Sequence, residues 1–219
     1  YVKNLVEMLK NNPKKFYNKV CGGNAWDNKE LEMKMLKLDA VVGNPPYQIE
    51  TAKKQSETNG QAPRTSIFQF FQMAADAVSC GFTSLIYPGS RWIHRSGKGM
   101  EAFGLKQIND PRLALVHFWP DSGDVFPGTV AIADGITVVM KDMRKTAPGF
   151  RYVYHKDGTT FESDLPNPGE ELMPLNPQDG AILAKVRAFC VANGLGSLNE
   201  KVYSRSFFGI ESDFVANNP

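Results

Sequence analysis

Short apolar runs of strand length alternate along this chain with segments of helical period, and few folds accommodate that alternation. Ala40, Val41 and Val42 form the first run. A helix is expected over residues 65–80, with Ile67, Phe68, Phe71, Ala74, Ala75 and Val78 on one face and Gly81 ending it. Residues 82–87 form a second run, residues 97–109 a second helix and residues 113–118 a third run. Strand, helix, strand, helix, strand predicts an α/β fold with parallel strands, and the unbroken run at 40–42 predicts a strand covered on both faces. Residues 132–140 and 150–155, separated by Thr146-Ala147-Pro148-Gly149, read as an antiparallel pair joined by a turn. Further helices are expected over residues 1–10, 30–38 and 179–192, and the polar stretch 50–61 reads as a mobile loop.

The 219 residues are 42% hydrophobic, enough to build a core. Twenty-five basic against 23 acidic residues leave a net charge of +2, which does not by itself demand a nucleic-acid partner. Cys21, Cys80 and Cys190 are too far apart for a zinc cluster, and three is the wrong number for a disulfide framework. His94, His117 and His155 lack metal-ligand spacing, so no metal is expected. No apolar stretch approaches the roughly 20 residues of a membrane helix, so a soluble cytoplasmic protein with no membrane contact is expected. The chain opens at Tyr1 inside a helix-like pattern and closes at Asn218-Pro219, which reads as a piece of a longer protein.

The run at 40–42 leads through Gly43 into Asn44-Pro45-Pro46-Tyr47. In open α/β sheets ligands bind beyond the carboxyl ends of the strands, where this tetrapeptide falls. The prolines donate no hydrogen bonds, and Pro45 pushes Asn44 out of helical geometry. The Asn44 amide oxygen and the Pro45 carbonyl are thereby offered to an outside donor. A planar amine with two N–H groups, such as the adenine N6 amino group, satisfies both. Accepting both protons localises the nitrogen lone pair for attack on a methyl donor, with no strong base. Tyr47 offers a ring on which an extruded base can stack.

Three stretches resemble the adenine-specific DNA methyltransferases of restriction-modification systems, particularly the type II and type IIG kind. They are D-A-V-V-G-N-P-P-Y-Q (39–48), S-L-I-Y-P-G-S-R-W (84–92) and W-P-D-S-G-D-V-F-P-G-T-V-A-I-A-D-G (119–135). The segment V-Y-S-R-S-F-F-G-I (202–210) resembles the entrance to a target-recognition region. The resemblance implies a partial Rossmann-like class I methyltransferase sheet, mixed, with an antiparallel last strand. It also implies S-adenosylmethionine as methyl donor and adenine N6 of duplex DNA as acceptor. Residues 1–165 would form the catalytic half of the methyltransferase domain, 166–177 a linker and 178–219 the start of a recognition region.

Residue by residue, the resemblance gives Asn44, Pro45, Pro46 and Tyr47 the catalytic roles, with Tyr47 and Phe126 stacking on the target base. Thr65 and Phe68 fall where the family touches its cofactor, and Asn24 and Asp27 where an adenine-contacting residue follows a strand. Arg91, His94, Arg95 and Lys98 follow the second run; Arg91, Arg95 and Lys98 are candidate DNA-phosphate contacts. Asp121 and Asp124 around Gly123 read as a turn. The family's Gly-x-Gly cofactor signature has no counterpart in residues 1–37, so a missing amino-terminal half of the domain is the expected partner, and activity is expected of the parent chain and not of this piece alone. Without it the strand at 39–43 would be an unpaired apolar edge open to self-association. Two other readings stay open: a protein-glutamine or ribosomal-RNA methyltransferase with the same tetrapeptide, and a catalytically incomplete DNA-binding fragment.

Overall fold

A computed structural model describes residues 7, 8, 10–12, 37–50, 64–97, 99–128 and 131–196. The expectations at residues 1–6, 13–36, 51–63 and 197–219, including Asn24 and Asp27, lie outside the described residues, as does Lys98. The chain divides into two units, Tyr1–Pro177 and Gln178–Pro219.

The first unit is built on a mixed six-stranded sheet, β1-β4-β6-β5-β7-β8. Its strands are β1 (Leu38–Gly43), β4 (Ser79–Pro88), β5 (Leu113–Trp119), β6 (Ile136–Asp142), β7 (Phe150–Lys156) and β8 (Thr159–Leu165). A small antiparallel pair, β2 (Gln48–Glu50) with β3 (Arg64–Ser66), stands apart. β1 and β4 are parallel, as expected, and β6 runs antiparallel between β4 and β5. The mixed α/β sheet agrees with the sequence reading, but its antiparallel strand β6 is inserted between β4 and β5 and is not the last strand. β4 and β5 both oppose β6, so β1, β4 and β5 end on the same rim.

Helix α1 (Phe68–Val78) crosses from β3 to β4, and α2 (Ser90–Ile93) and α3 (Met100–Ile108) cross from β4 to β5. Their apolar faces meet the sheet in one cluster with Val41, Phe68, Leu85, Trp92, Val116 and Val139. α1 is shorter than the expected 65–80. Thr65 is in β3, opposite Ile49, and the helix gives way at Ser79 to an early-starting β4. Gly81 is not a helix stop but a strand residue: a Cβ there would lie 2.1 Å from the Asp39 carbonyl oxygen.

The expected hairpin between residues 132–140 and 150–155 is not formed. β5 lies between β6 and β7, pairing antiparallel with the first and parallel with the second. The hairpin is instead β7–β8, closed by Asp157-Gly158 with φ of 51° and 71°. Two consecutive left-handed residues match the right-handed twist of the flanking strands. The expectation that β1 is covered on both faces also fails among the described residues. Val41 faces the helices and is buried, whereas Val42 on the opposite face is 75% exposed. Leu38 belongs to β1, not to the end of a helix.

A buried polar cluster ties helix to sheet beneath the core. Lys141, 2% exposed, donates to Asp76 Oδ2 at 2.7 Å and Asp110 Oδ2 at 2.9 Å. Arg112 adds a 2.7 Å bond to Asp110. Burial alone would raise the Asp110 pKa, but the Arg112 and Lys141 hydrogen bonds and charges hold it well below the usual carboxylate range. Residues 166–177 are fastened to this unit: Asn167 Nδ2 donates to the Ile108 carbonyl and Met173 is buried.

In the second unit, helix α4 (Asp179–Ala192) lies where its period places it. Ile182, Val186 and Phe189 are exposed along it.

Candidate active site

Asn44 to Tyr47 leave β1 at its carboxyl end without regular secondary structure. Pro45 is buried, Asn44 and Pro46 are exposed, and Tyr47 is half-buried against the core. The Tyr47 carbonyl accepts from Ile67 N at 3.0 Å, which fastens the tetrapeptide to the start of α1. The Tyr47 hydroxyl is buried, and no protein group among the described residues meets full hydrogen-bond geometry with it. Burial pushes its phenol up, and the neighbouring Asn44 side chain partly offsets that rise.

A narrow cleft of about 40 Å³ opens beside Tyr47. Gln48, Arg64, Ser66, Phe68, Pro88, Arg91, Met100 and Asp134 complete its lining. Three residues singled out from the sequence, Tyr47, Phe68 and Arg91, are thus brought to one place. The Phe68 ring is buried and stacks on Tyr87 at 4.8 Å and 18°. Tyr87 is fixed in turn: its hydroxyl donates to Gln72 Oε1 at 3.1 Å and accepts from Gln107 Nε2 at 2.8 Å. Gln72 Nε2 donates to Asp76 at 2.8 Å, so the wall behind Phe68 connects to the buried ionic cluster.

Other sequence candidates fall elsewhere. Thr65 is exposed on β3 and is not among the cleft's lining residues. Phe126 is half-buried on the loop after β5, also outside that lining, with its N–H donating to the Ser122 carbonyl at 2.8 Å. Arg95 has a left-handed backbone, φ 54°, and a side chain only 10% exposed. Its guanidinium donates to the Glu170 carbonyl and lies 3.5 Å from the Glu170 carboxylate. That makes it a strut to the 166–177 segment. Arg91 remains on the rim, 57% exposed, 3.0 Å from Asp134. Asp121 accepts from Gly123 N at 2.7 Å, forming the turn expected there.

Asp134 was not singled out from the sequence. It precedes Gly135, whose φ is 61° and where a Cβ would lie 2.5 Å from the Trp119 carbonyl oxygen, leaving no room for a side chain. An Asp-Gly pair reads as a turn, and only its 3.0 Å partner Arg91, 43 positions away, marks the carboxylate as part of the cleft. On the sheet face away from the helices, His117 Nδ1 lies 2.8 Å from His155 Nε2, and both rings stack with Trp119. Burial lowers the pKa of both imidazoles; His155 lowers His117 further, while Glu162 opposes the shift of each.

The family model described as Eco57I restriction-modification methylase matches residues 1–126, more than half of the chain. No curated protein matches it. Solved structures do. One from a study of complex assembly in a type I R-M system is 13% identical, over 80% of this chain and 34% of that chain, with a TM-score of 0.40. The type IIG restriction endonuclease BpuSI is 12% identical, over 56% of this chain and 15% of that one, at 0.39. A type I methyltransferase subunit from Streptococcus thermophilus is 14% identical, over 75% and 33%, also at 0.39. The chain spans about a third or less of the length of each.

Proposed function

The chain belongs to the Eco57I restriction-modification methylase family, and from that premise we propose that it carries the catalytic residues of a DNA methyltransferase acting on adenine N6. The reading rests on the placement of Asn44-Pro45-Pro46-Tyr47 at the end of β1, on the rim it shares with β4 and β5 and beside the cleft. S-adenosylmethionine, when bound, supplies an electrophilic methyl group. Around the cleft, Tyr47, Phe68 and Met100 give an aromatic and apolar wall suited to a purine or an adenosine. About 40 Å³ holds one water rather than a nucleoside, so these residues form one wall of a site and not its whole.

The chain's own groups have defined tasks. The Asn44 amide oxygen and the Pro45 carbonyl accept hydrogen bonds from the two N6–H groups and turn the amino nitrogen into a directed nucleophile. Pro45 and Pro46 keep competing backbone donors away. Tyr47 carries the extruded base on its ring face. Phe68 lines the wall where the resemblance places a cofactor contact; the cofactor roles of Thr65, Asn24 and Asp27 and the base-stacking role of Phe126 rest on the resemblance alone. The amino group loses one proton on methylation, and the exposed side of Asn44 opens that path to water.

The test is methyl incorporation from labelled S-adenosylmethionine by the complete enzyme into duplex DNA, RNA and protein in parallel. Label in N6-methyladenine of duplex DNA is expected. Label confined to RNA or to protein glutamine overturns the substrate assignment.

A further inference from the structure

Resting on that reading, we propose that Asp134 is a positioning residue. It holds Arg91 at the rim of the cleft and releases it when a DNA phosphate takes its place. The two residues extend from neighbouring paired strands: Arg91 lies in α2 just after β4, and Asp134 in the loop that enters β6. Their side chains meet at 3.0 Å. The loop beneath is clamped by Ser90 N donating to the Asp134 carbonyl at 2.8 Å and Gly89 N to the Gly135 carbonyl at 3.3 Å. The backbone therefore stays fixed while the side-chain pair can open.

Both side chains line the cleft, whose volume of about 40 Å³ is too small for a purine. Arg91 is 57% exposed and its partner 25%, so the guanidinium can be taken over by an outside anion without desolvating a buried group. Asp134 engages only the Arg91 Nε, through Oδ1 at 3.0 Å, whereas two oxygens of a phosphate can meet the guanidinium fork bidentately. Asp134 thus keeps Arg91 poised at the rim until a backbone phosphate takes it over.

The experiment is a double-mutant cycle on duplex-DNA affinity of the full chain across a salt series. Asp134→Asn frees Arg91 and is expected to tighten binding about two- to five-fold. The slope of log affinity against log salt should stay unchanged, because Arg91 meets the phosphate in both proteins, whereas Arg91→Ala should make it shallower by about 0.9. In an Arg91→Ala background the same change should do nothing beyond its charge effect. Asp134→Glu should retain wild-type behaviour. Asp124→Asn removes the same charge from the exposed turn of the same loop and reports that charge effect alone. Equal tightening by Asp134→Asn and Asp124→Asn, or no coupling to Arg91, overturns the inference while leaving the methyltransferase reading intact. A wild-type chain that binds no duplex DNA at any salt overturns both.

Discussion

Replacing Lys141 by Met should show how strongly the buried ionic cluster holds helix to sheet. The ammonium is 2% exposed and bridges Asp76 and Asp110, whose side chains are 16% and 5% exposed. Removing one partner from a buried charge cluster costs roughly 3–5 kcal/mol, because the charges left behind stay desolvated. Arg112 remains, 2.7 Å from Asp110 and 3.9 Å from Asp76, which places the expected cost near the lower end, about 3 kcal/mol. For a domain of this size that corresponds to a fall in Tm of roughly 6–12 °C. Thermal unfolding by circular dichroism and denaturant titration at pH 7 measure it.

The pH dependence supplies a second check. The Asp110 carboxyl is held low in the folded state, so its stabilisation is present above the unfolded carboxylate value and is lost as pH falls toward the folded one. In the variant that depression weakens. The gap between wild type and variant should therefore narrow as pH falls below about 5. A loss under about 1 kcal/mol at pH 7, or a gap indifferent to pH, would refute the argument.

Two further outcomes follow from the open sheet face and edge. Because burial depresses the pKa of His117 and His155, folded stability should fall as pH drops through the unfolded imidazole value near 6.5; His117→Phe should flatten that slope in a pH series of denaturant titrations. Among the described residues β1 pairs only with β4 and exposes Val42, so Val42→Lys should reduce any self-association measured by sedimentation velocity; an unchanged distribution of an associating wild type would exclude this edge as the contact.

The strand centres were legible in the sequence because apolar runs bounded by Pro and Gly admit little else: β1, β4 and β5 lie where the runs place them. The sheet order was not. β6 inserts between β4 and β5 through long-range pairing, and nothing local in residues 136–142 distinguishes that from a hairpin with β7. The real hairpin carries a strong local signal, Asp157-Gly158, masked because β8 alternates polar and half-buried residues and lacks an apolar run. At the site, two adjacent prolines after a strand made Asn44 to Tyr47 conspicuous. Asp134 stayed hidden because its role comes entirely from the partner it meets in space.

The most direct measurement is single-turnover methyl transfer to duplex DNA by the complete enzyme carrying Asn44→Ala, beside calorimetric titration of the same protein with S-adenosylmethionine. If Asn44 is one of two acceptors for the reacting amine, as proposed, its loss should slow transfer by on the order of 100-fold or more, with cofactor affinity within about two-fold of wild type. Transfer at the wild-type rate would contradict the assignment of Asn44 and, with it, the proposed chemistry of the tetrapeptide.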